Sequence, residues 1–232
     1  MSISPYSRRK LVLITLILFI VGAFTGSLVF PLLSGIIETD AAIQLSNSNP
    51  QLFRFGVFIS HVMTFTVPGI VALAVTFNSA WWKRVDLNHL AISPVVGNAT
   101  LFFIATLPLV ALSAWLNLQI NLPDWAMQAE DSTTQVMEAM VNFTGPASLV
   151  LALLGTALAA GFGEELIFRG ILQGKVLDQL NHHAAIWIAA FAFSSIHLEL
   201  AGFLPRMLLG GVLGYTYWWT KSLWVPIILH ML

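Results

Sequence analysis

The chain has 232 residues, of which 57% are hydrophobic and 9% are charged, and its formal net charge is −1. Soluble domains carry about 25% charged residues, so this composition is typical of an integral membrane protein, and it lacks the basic excess that nucleic-acid binding requires. The absence of cysteine excludes disulfides, thiolate metal sites and a cysteine nucleophile within the chain.

Runs of about 20 apolar residues, the length that crosses a bilayer as a helix, recur along the chain. The first run is longer than the h-region of a signal peptide and has no A-x-A-like cleavage site, so we expect it to remain as a helix. The predicted spans are Leu11–Leu33, Phe55–Asn78, Ala91–Leu116, Pro146–Arg169, Ala184–Leu200 and Met207–Thr220, with a seventh from Ser222 to Leu232. We therefore predict an all-α fold, a polytopic transmembrane bundle of six full spans plus a truncated seventh, forming one integral-membrane domain over residues 1–232.

The basic residues predict the orientation of these spans. With the amino terminus in the cytoplasm, the outer side receives only Arg54 and Arg206. The cytoplasmic side then receives Arg8, Arg9, Lys10, Lys83, Arg84, Lys175 and Lys221. We expect a multi-pass protein with a cytoplasmic amino terminus.

The outer loop Asn117–Gly145 contains acidic residues and no Lys or Arg. Ser132 and Gln135 within it fit a helix capping box, and the apolar residues that follow fall on one helical face. A short helix at the membrane surface, beginning at Ser132, is predicted.

The fourth span carries a cluster of charges, Glu164, Glu165 and Arg169, in the segment GEELIFRG. An ionisable group at the centre of a bilayer costs at least about 2–3 kcal/mol, so such a cluster indicates a functional site. Glu165 and Arg169 are four residues apart on a helix and are predicted to pair, which leaves Glu164 without a cation and free to act as a base. The alternative is an inert ion-pair cluster that fixes helix packing.

Two histidines on later helices are predicted to reach the same depth. Counted from the cytoplasmic ends of their spans at about 1.5 Å per residue, Glu164 lies roughly 16 Å deep, His197 roughly 21 Å and His230 roughly 13 Å. Since the hydrocarbon core is about 30 Å thick, all three lie near mid-membrane. His61 on the second span is either a neighbour of this site or a helix–helix hydrogen-bonding residue.

Small residues accompany the charged cluster. Alanines and glycines precede Glu164, and Gly210-x-x-x-Gly214 lies on the sixth span. Small residues at four-residue spacing allow membrane helices to approach closely. The pattern predicts tight packing around the polar residues.

Three motifs in chain order carry a resemblance to a known family: Glu164-Glu165-x-x-x-Arg169, Phe193-x-x-x-His197 and His230. The chain resembles the CPBP family of intramembrane proteases, which includes the CAAX prenyl endopeptidases and bacterial proteins linked to bacteriocin processing and self-immunity. Residues 146–232 form the core that carries the motifs. The resemblance implies an endopeptidase of a bacterial inner or plasma membrane that acts on a peptide or protein substrate, with lipidated or membrane-bound substrates among the options.

The resemblance also implies a role for each residue. Glu164 is similar to the base that activates a water, and His197 to the residue that helps to hold that water. Glu165 and Arg169 are similar to supports that orient the site. His230 is similar to part of the group that stabilises the oxyanion, a large term in a preorganised site.

Metal dependence is left open by the residues. Glu164, His197 and His230 are a possible ligand set for a catalytic zinc, and the same side chains can also activate water without a metal. We expect that no cofactor is required. The family's last motif normally has Asn four residues after this histidine, so we expect the natural protein to continue beyond Leu232 and complete the seventh span.

Two other function classes remain. One is a non-catalytic membrane protein, such as a bacteriocin self-immunity factor or a scaffold that uses an inherited pocket. The other is an ion-coupled transporter, since buried Glu and His are also typical of transporters. Transporters usually contain repeat symmetry, and the sequence has no internal repeat.

Overall fold

The computed structural model describes residues 3–35, 41–88 and 94–232, and within these ranges the chain forms helices and no strand. The all-α fold class is confirmed. The helices are α1 (Pro5–Ser34), α2 (Ala41–Ser48), α3 (Pro50–Arg84), α4 (Pro94–Leu118), α5 (Asp124–Val141), α6 (Pro146–Val176), α7 (His182–Ser195), α8 (Phe203–Thr220) and α9 (Trp224–His230).

Four of the described helices, α1, α3, α4 and α6, are long and apolar enough to cross a membrane. They correspond to the first four predicted spans, although the predicted start of the third, at 91–93, lies outside the described residues. The shorter helices α7, α8 and α9 lie where the last three spans were predicted. The four long apolar helices indicate an integral membrane protein. The count of six full spans plus a truncated seventh stays a prediction.

Both α3 and α6 contain π-helical turns, in which backbone hydrogen bonds join residues five apart. One segment, Val62–Thr66, precedes Pro68, which has no N–H to continue a regular helix. Two further segments in α6, Leu153–Ala159 and Leu166–Val176, lie on either side of the glutamates. Such widened turns occur frequently at functional sites.

Helix α6 is packed closely between α3 and α8. A Cβ placed on Gly163 would lie 2.7 Å from Oγ1 of Thr66 on α3, so the two backbones approach at this point. On the other side, the glycines of α8 leave their carbonyl groups accessible to polar side chains of α6, and the Gly214 carbonyl accepts a hydrogen bond of 2.9 Å from Nε2 of Gln173. The predicted tight packing of small residues is confirmed.

The outer helix α5 begins at Asp124 rather than at Ser132, so the predicted helix start was wrong. Pro123 precedes the first turn with extended backbone, and Asp124 places a carboxylate near the positive end of the helix dipole. These two residues begin the helix, and nothing between them and Ser132 interrupts it.

Helix α5 is fixed at its carboxyl end by Arg54, which is 1% exposed. One guanidinium nitrogen of Arg54 donates to the carbonyls of Ala139 and Asn142, both at 2.6 Å. A second contact joins the middle of the helix to the segment after α7, where Oγ1 of Thr133 donates to Glu199 at 2.7 Å. The outer helix is therefore held beside the turn that carries His197.

Helix α7 ends at Ser195, whereas the predicted span continued to Leu200, so that helix end was also wrong. Leu198 has a positive φ of 56°, which an α-helix cannot contain. The side-chain amide of Asn117 on α4 holds the turn by donating to the carbonyl of Leu200 at 2.8 Å. His197 consequently lies in a turn and not inside a membrane helix.

Candidate active site

Glu165 and Arg169 form the predicted ion pair inside α6. The guanidinium of Arg169 lies 2.6 Å from Oε1 of Glu165, and the two side chains are 1% and 0% exposed. Arg169 also donates to the carbonyl of Gly210 at 2.9 Å, and its guanidinium carbon lies 4.9 Å from the ring centre of Phe193. The cation is therefore compensated by a carboxylate, a carbonyl and an aromatic face.

Glu164 is buried in different surroundings from its neighbour. Its side chain is 4% exposed, and within the described part of the chain no Arg or Lys nitrogen lies within 4 Å of it. Each of its oxygens faces a histidine at 3.8 Å: Oε1 faces Nδ1 of His61, and Oε2 faces Nε2 of His230. The carboxylate is close to two imidazoles without being held by either.

His230 connects the two glutamates. Its Nδ1 lies 2.7 Å from Oε1 of Glu165, the same oxygen that binds Arg169. An ionised carboxylate only accepts hydrogen bonds, so Nδ1 carries the proton and Nε2 is left to face Glu164. A carboxylate that fixes one ring nitrogen also fixes the orientation of the whole imidazole.

His197 is arranged similarly but does not touch Glu164. Its Nδ1 lies 2.8 Å from the carbonyl oxygen of Phe193, which only accepts, so Nδ1 is the donor and Nε2 is free. No nitrogen of His197 lies within 4 Å of an oxygen of Glu164, and both residues are described. The Phe193 ring connects this histidine to the site, with centroid distances of 5.2 Å to His197 and 6.0 Å to His230.

His61 is the residue whose place the sequence left undecided. The structure puts it beside Glu164, with its ring stacked on Phe65 at a centroid distance of 5.5 Å and an interplanar angle of 21°. Its Nδ1 is buried without a hydrogen-bond partner among the described residues. Nothing local in the sequence signals this contact, because it depends on how α3 packs against α6.

The described residues do not fit a three-ligand metal site. In residues 3–35, 41–88 and 94–232, no three His, Asp or Glu side chains are gathered as a metal would require. Within the proposed set, Nδ1 of His230 is bound to Glu165, and His197 stands away from Glu164. Glu164, His197 and His230 thus do not converge on one point in this structure.

A comparison with protein families identifies the relationship. Residues 146–232 match the family model described as type II CAAX prenyl endopeptidase Rce1-like. The matched segment begins at the first residue of α6 and contains all three motifs. The resemblance of this segment to the CPBP family is thereby confirmed.

Two curated relatives come from Bacillus subtilis strain 168. The chain is 26% identical over 137 residues to a protein named "Putative membrane peptidase YdiL". The aligned region covers 59% of this chain and 54% of that protein. The chain is 30% identical over 79 residues to "Uncharacterized protein YpbD", which covers 32% of this chain and 38% of that protein. The chain thus spans about half, or less, of the length of these relatives. No solved structure matches it significantly.

Proposed function

We propose that the protein is an intramembrane endopeptidase of the CAAX-protease type, in which Glu164 activates a water that hydrolyses a peptide bond. The observation that supports this most is the contrast between adjacent glutamates. Glu165 is bound to Arg169 and His230, whereas the buried Glu164 has no Arg or Lys nitrogen of the described residues within 4 Å and faces His61 and His230. A buried carboxylate without a fixed cation is available to take a proton.

The proposed step follows from these positions. The water oxygen bonds to the carbonyl carbon while Glu164 removes one of its protons, the carbon–nitrogen bond breaks, and that proton passes to the leaving amine. His230, held by Glu165 through Nδ1, stabilises the developing charge by donating an Nε2–H once the imidazole is protonated at both nitrogens, and Arg169 keeps Glu165 in place. His197, fixed through the Phe193 carbonyl, presents its free Nε2 as the group that positions the water.

His61 is included in the proposal as a further group beside the base. His61 is on α3, outside the segment that contains the three motifs, and its Nδ1 faces Oε1 of Glu164. This nitrogen makes no hydrogen bond to the described residues. We assign to His61 the role of orienting the Glu164 carboxylate.

A cleavage assay tests the proposed activity. The purified protein is incubated in detergent with an internally quenched peptide that ends in a farnesylated CAAX sequence, and with the same peptide lacking the lipid. Cleavage of either peptide that is lost in Glu164→Gln and kept in Glu138→Gln, an exposed carboxylate, supports a peptidase. Absence of cleavage together with ion flux in proteoliposomes would favour the transporter class, and absence of both would favour an immunity factor or scaffold.

Metal dependence is a separate part of the proposal. We expect hydrolysis to persist after incubation with chelators, because Glu164 and the histidines can move the protons themselves. Elemental analysis after gentle purification measures the amount of zinc bound per chain. About one zinc per chain, lost in His197→Ala, would contradict the expectation and assign the site to zinc hydrolases.

A further inference from the structure

The turn between α7 and α8, which carries His197, contains a strained residue. Leu198 has a φ of 56°, a left-handed conformation that is sterically unfavourable for a residue with a Cβ. Its side chain is 80% exposed, so burial of this side chain does not hold the backbone in that conformation. Strained backbone persists where the surrounding contacts over-determine it, and it is concentrated at functional sites. The contacts that hold this turn therefore determine where His197 lies.

The far end of the turn is fixed by Asn117 in the last turn of α4. Its side-chain amide donates to the carbonyl of Leu200 at 2.8 Å, and its Oδ1 accepts a hydrogen bond of 3.0 Å from the N–H of Leu204. Asn117 is 1% exposed, so both hydrogen bonds are protected from water. One buried side chain thus joins the end of the turn to the beginning of α8.

The part of the turn nearest to His197 is held by Glu199, which follows the histidine by two positions. Oε2 of Glu199 lies 2.6 Å from a guanidinium nitrogen of Arg206 in the first turns of α8. Oε1 accepts a hydrogen bond of 2.7 Å from the hydroxyl of Thr133 on α5. Arg206 also donates to the main-chain carbonyl of Glu199 at 2.8 Å. The turn is therefore attached here to two helices, by its side chain and by its backbone.

These contacts complete the support of His197. Its Nδ1 is bound to the carbonyl of Phe193 on α7, which fixes the ring relative to that helix and leaves Nε2 free. The charges of Glu199 and Arg206 both act on the imidazole, in opposite directions. Because Glu199 compensates Arg206, the pair holds the turn and is not a site for an incoming charged group. The direction of Nε2 depends on α7 from one side and on Glu199 from the other.

We propose that Glu199 is a positioning residue, which acts through Arg206 and Thr133 to hold the turn so that Nε2 of His197 faces the water beside Glu164. The proposal rests on the proposed function, in which His197 positions that water. Glu199 itself does not touch the reacting atoms.

Steady-state cleavage by Glu199→Ala tests this role. We expect kcat to fall by roughly 10²-fold with KM unchanged, because a misplacement of about 1 Å has this effect on the chemical step and does not affect substrate binding. Thr133→Val, which loses only the hydroxyl contact, should also lower kcat. Thr133→Ser retains the hydroxyl and should keep the kcat of the unmodified protein.

Asp178→Ala is the matched control. It removes the carboxylate from a second ion pair of 2.6 Å, with Arg8, whose side chains are 20% and 13% exposed, compared with 23% and 16% for Arg206 and Glu199. The two substitutions should therefore change the melting temperature by similar amounts. Only Glu199→Ala should lower kcat, and an equal loss in both variants would overturn the proposal.

Nuclear magnetic resonance of the full chain with ¹⁵N-labelled histidine gives a readout that needs no cleavage. The His197 signals are assigned by their loss in His197→Ala. The unmodified protein should show one ring protonated at Nδ1, and Glu199→Ala or Thr133→Val should show a mixture of tautomers, with the signals of the exposed His183 unchanged. This shift in proteins that cleave no peptide would support the positioning role while the peptidase proposal fails. Unchanged His197 signals in both variants, or a loss that lies in KM alone, would overturn the positioning role.

Discussion

At the scale of single residues, the separation of Glu164 from Glu165 follows from helical geometry. Adjacent residues on a helix point about 100° apart, so Glu165 turns toward Arg169 and the Nδ1 side of His230 while Glu164 turns toward His61 on α3. One oxygen of Glu165 binds both Arg169 and His230, so a single carboxylate fixes the positions of these two side chains. The arrangement keeps the support rigid and the neighbouring carboxylate available for chemistry.

His61→Phe tests whether His61 orients that carboxylate. Phenylalanine preserves an aromatic ring to stack on Phe65 and removes both ring nitrogens, so folding should be kept while turnover falls by roughly 10²-fold, the lower range for a positioned proton-transfer group. Turnover and melting temperature are measured for both proteins. His183→Phe, an exposed histidine bound to Tyr215, is the control, and an equal loss in both variants would contradict a specific role for His61.

At the scale of helices, the site depends on the contact between α6 and α8. Arg169 and Gln173 are one turn apart on α6, and they donate to the carbonyls of Gly210 and Gly214, which are one turn apart on α8. Glycine at both acceptor positions lets the backbones approach, and the side chains of α6 then satisfy their polar groups on backbone oxygens. This contact holds Arg169 in the position that Glu165 requires.

Gly214→Ala is expected to disrupt the contact between these helices. A Cβ at Gly214 would lie 2.9 Å from Oε1 of Gln173 and 2.9 Å from a methyl carbon of Ile186, an overpacking that typically costs about 1–3 kcal/mol. Thermal unfolding in detergent should therefore begin at a lower temperature. Gly97→Ala is the matched control, because nothing lies within 4 Å of its Cβ position, and equal melting of the two variants would contradict the tight packing.

At the scale of the whole molecule, local sequence patterns predicted much of the structure, whereas contacts between segments far apart in the sequence were hardly predicted. Apolar runs gave the positions of the four long helices, and the four-residue spacing gave the pair of Glu165 and Arg169, because each signal lies within one segment. The approach of His61 to Glu164 joins two helices that are far apart in sequence, so no periodicity reports it. The helix ends after Ser195 and before Asp124 depend on Asn117 and Pro123, which outweigh the hydropathy pattern.

The predicted orientation can be tested with cysteine labelling, since the chain has no cysteine of its own. The start of α1 meets the end of α6 through Arg8 and Asp178, and Lys10 on α1 donates to the carbonyl of Val75 near the end of α3. Lys83→Cys and Gln179→Cys should therefore share the side of the amino terminus. Asn121→Cys, beyond the far end of α4, should lie on the other side. A membrane-impermeant maleimide on intact cells is expected to label only Asn121→Cys; labelling of all three would contradict the topology.

The central claim is that Glu164 performs the chemistry while Glu165 holds the site together, and parallel measurement of turnover and melting temperature for Glu164→Gln and Glu165→Gln tests it most directly. Glu164→Gln should lose about 10²–10⁴-fold in turnover while its melting temperature stays close to that of the unmodified protein. Glu165→Gln should lose both, since it strands Arg169 as a buried charge, a change that costs about 3–5 kcal/mol in buried pairs. Normal cleavage by folded Glu164→Gln would contradict the account.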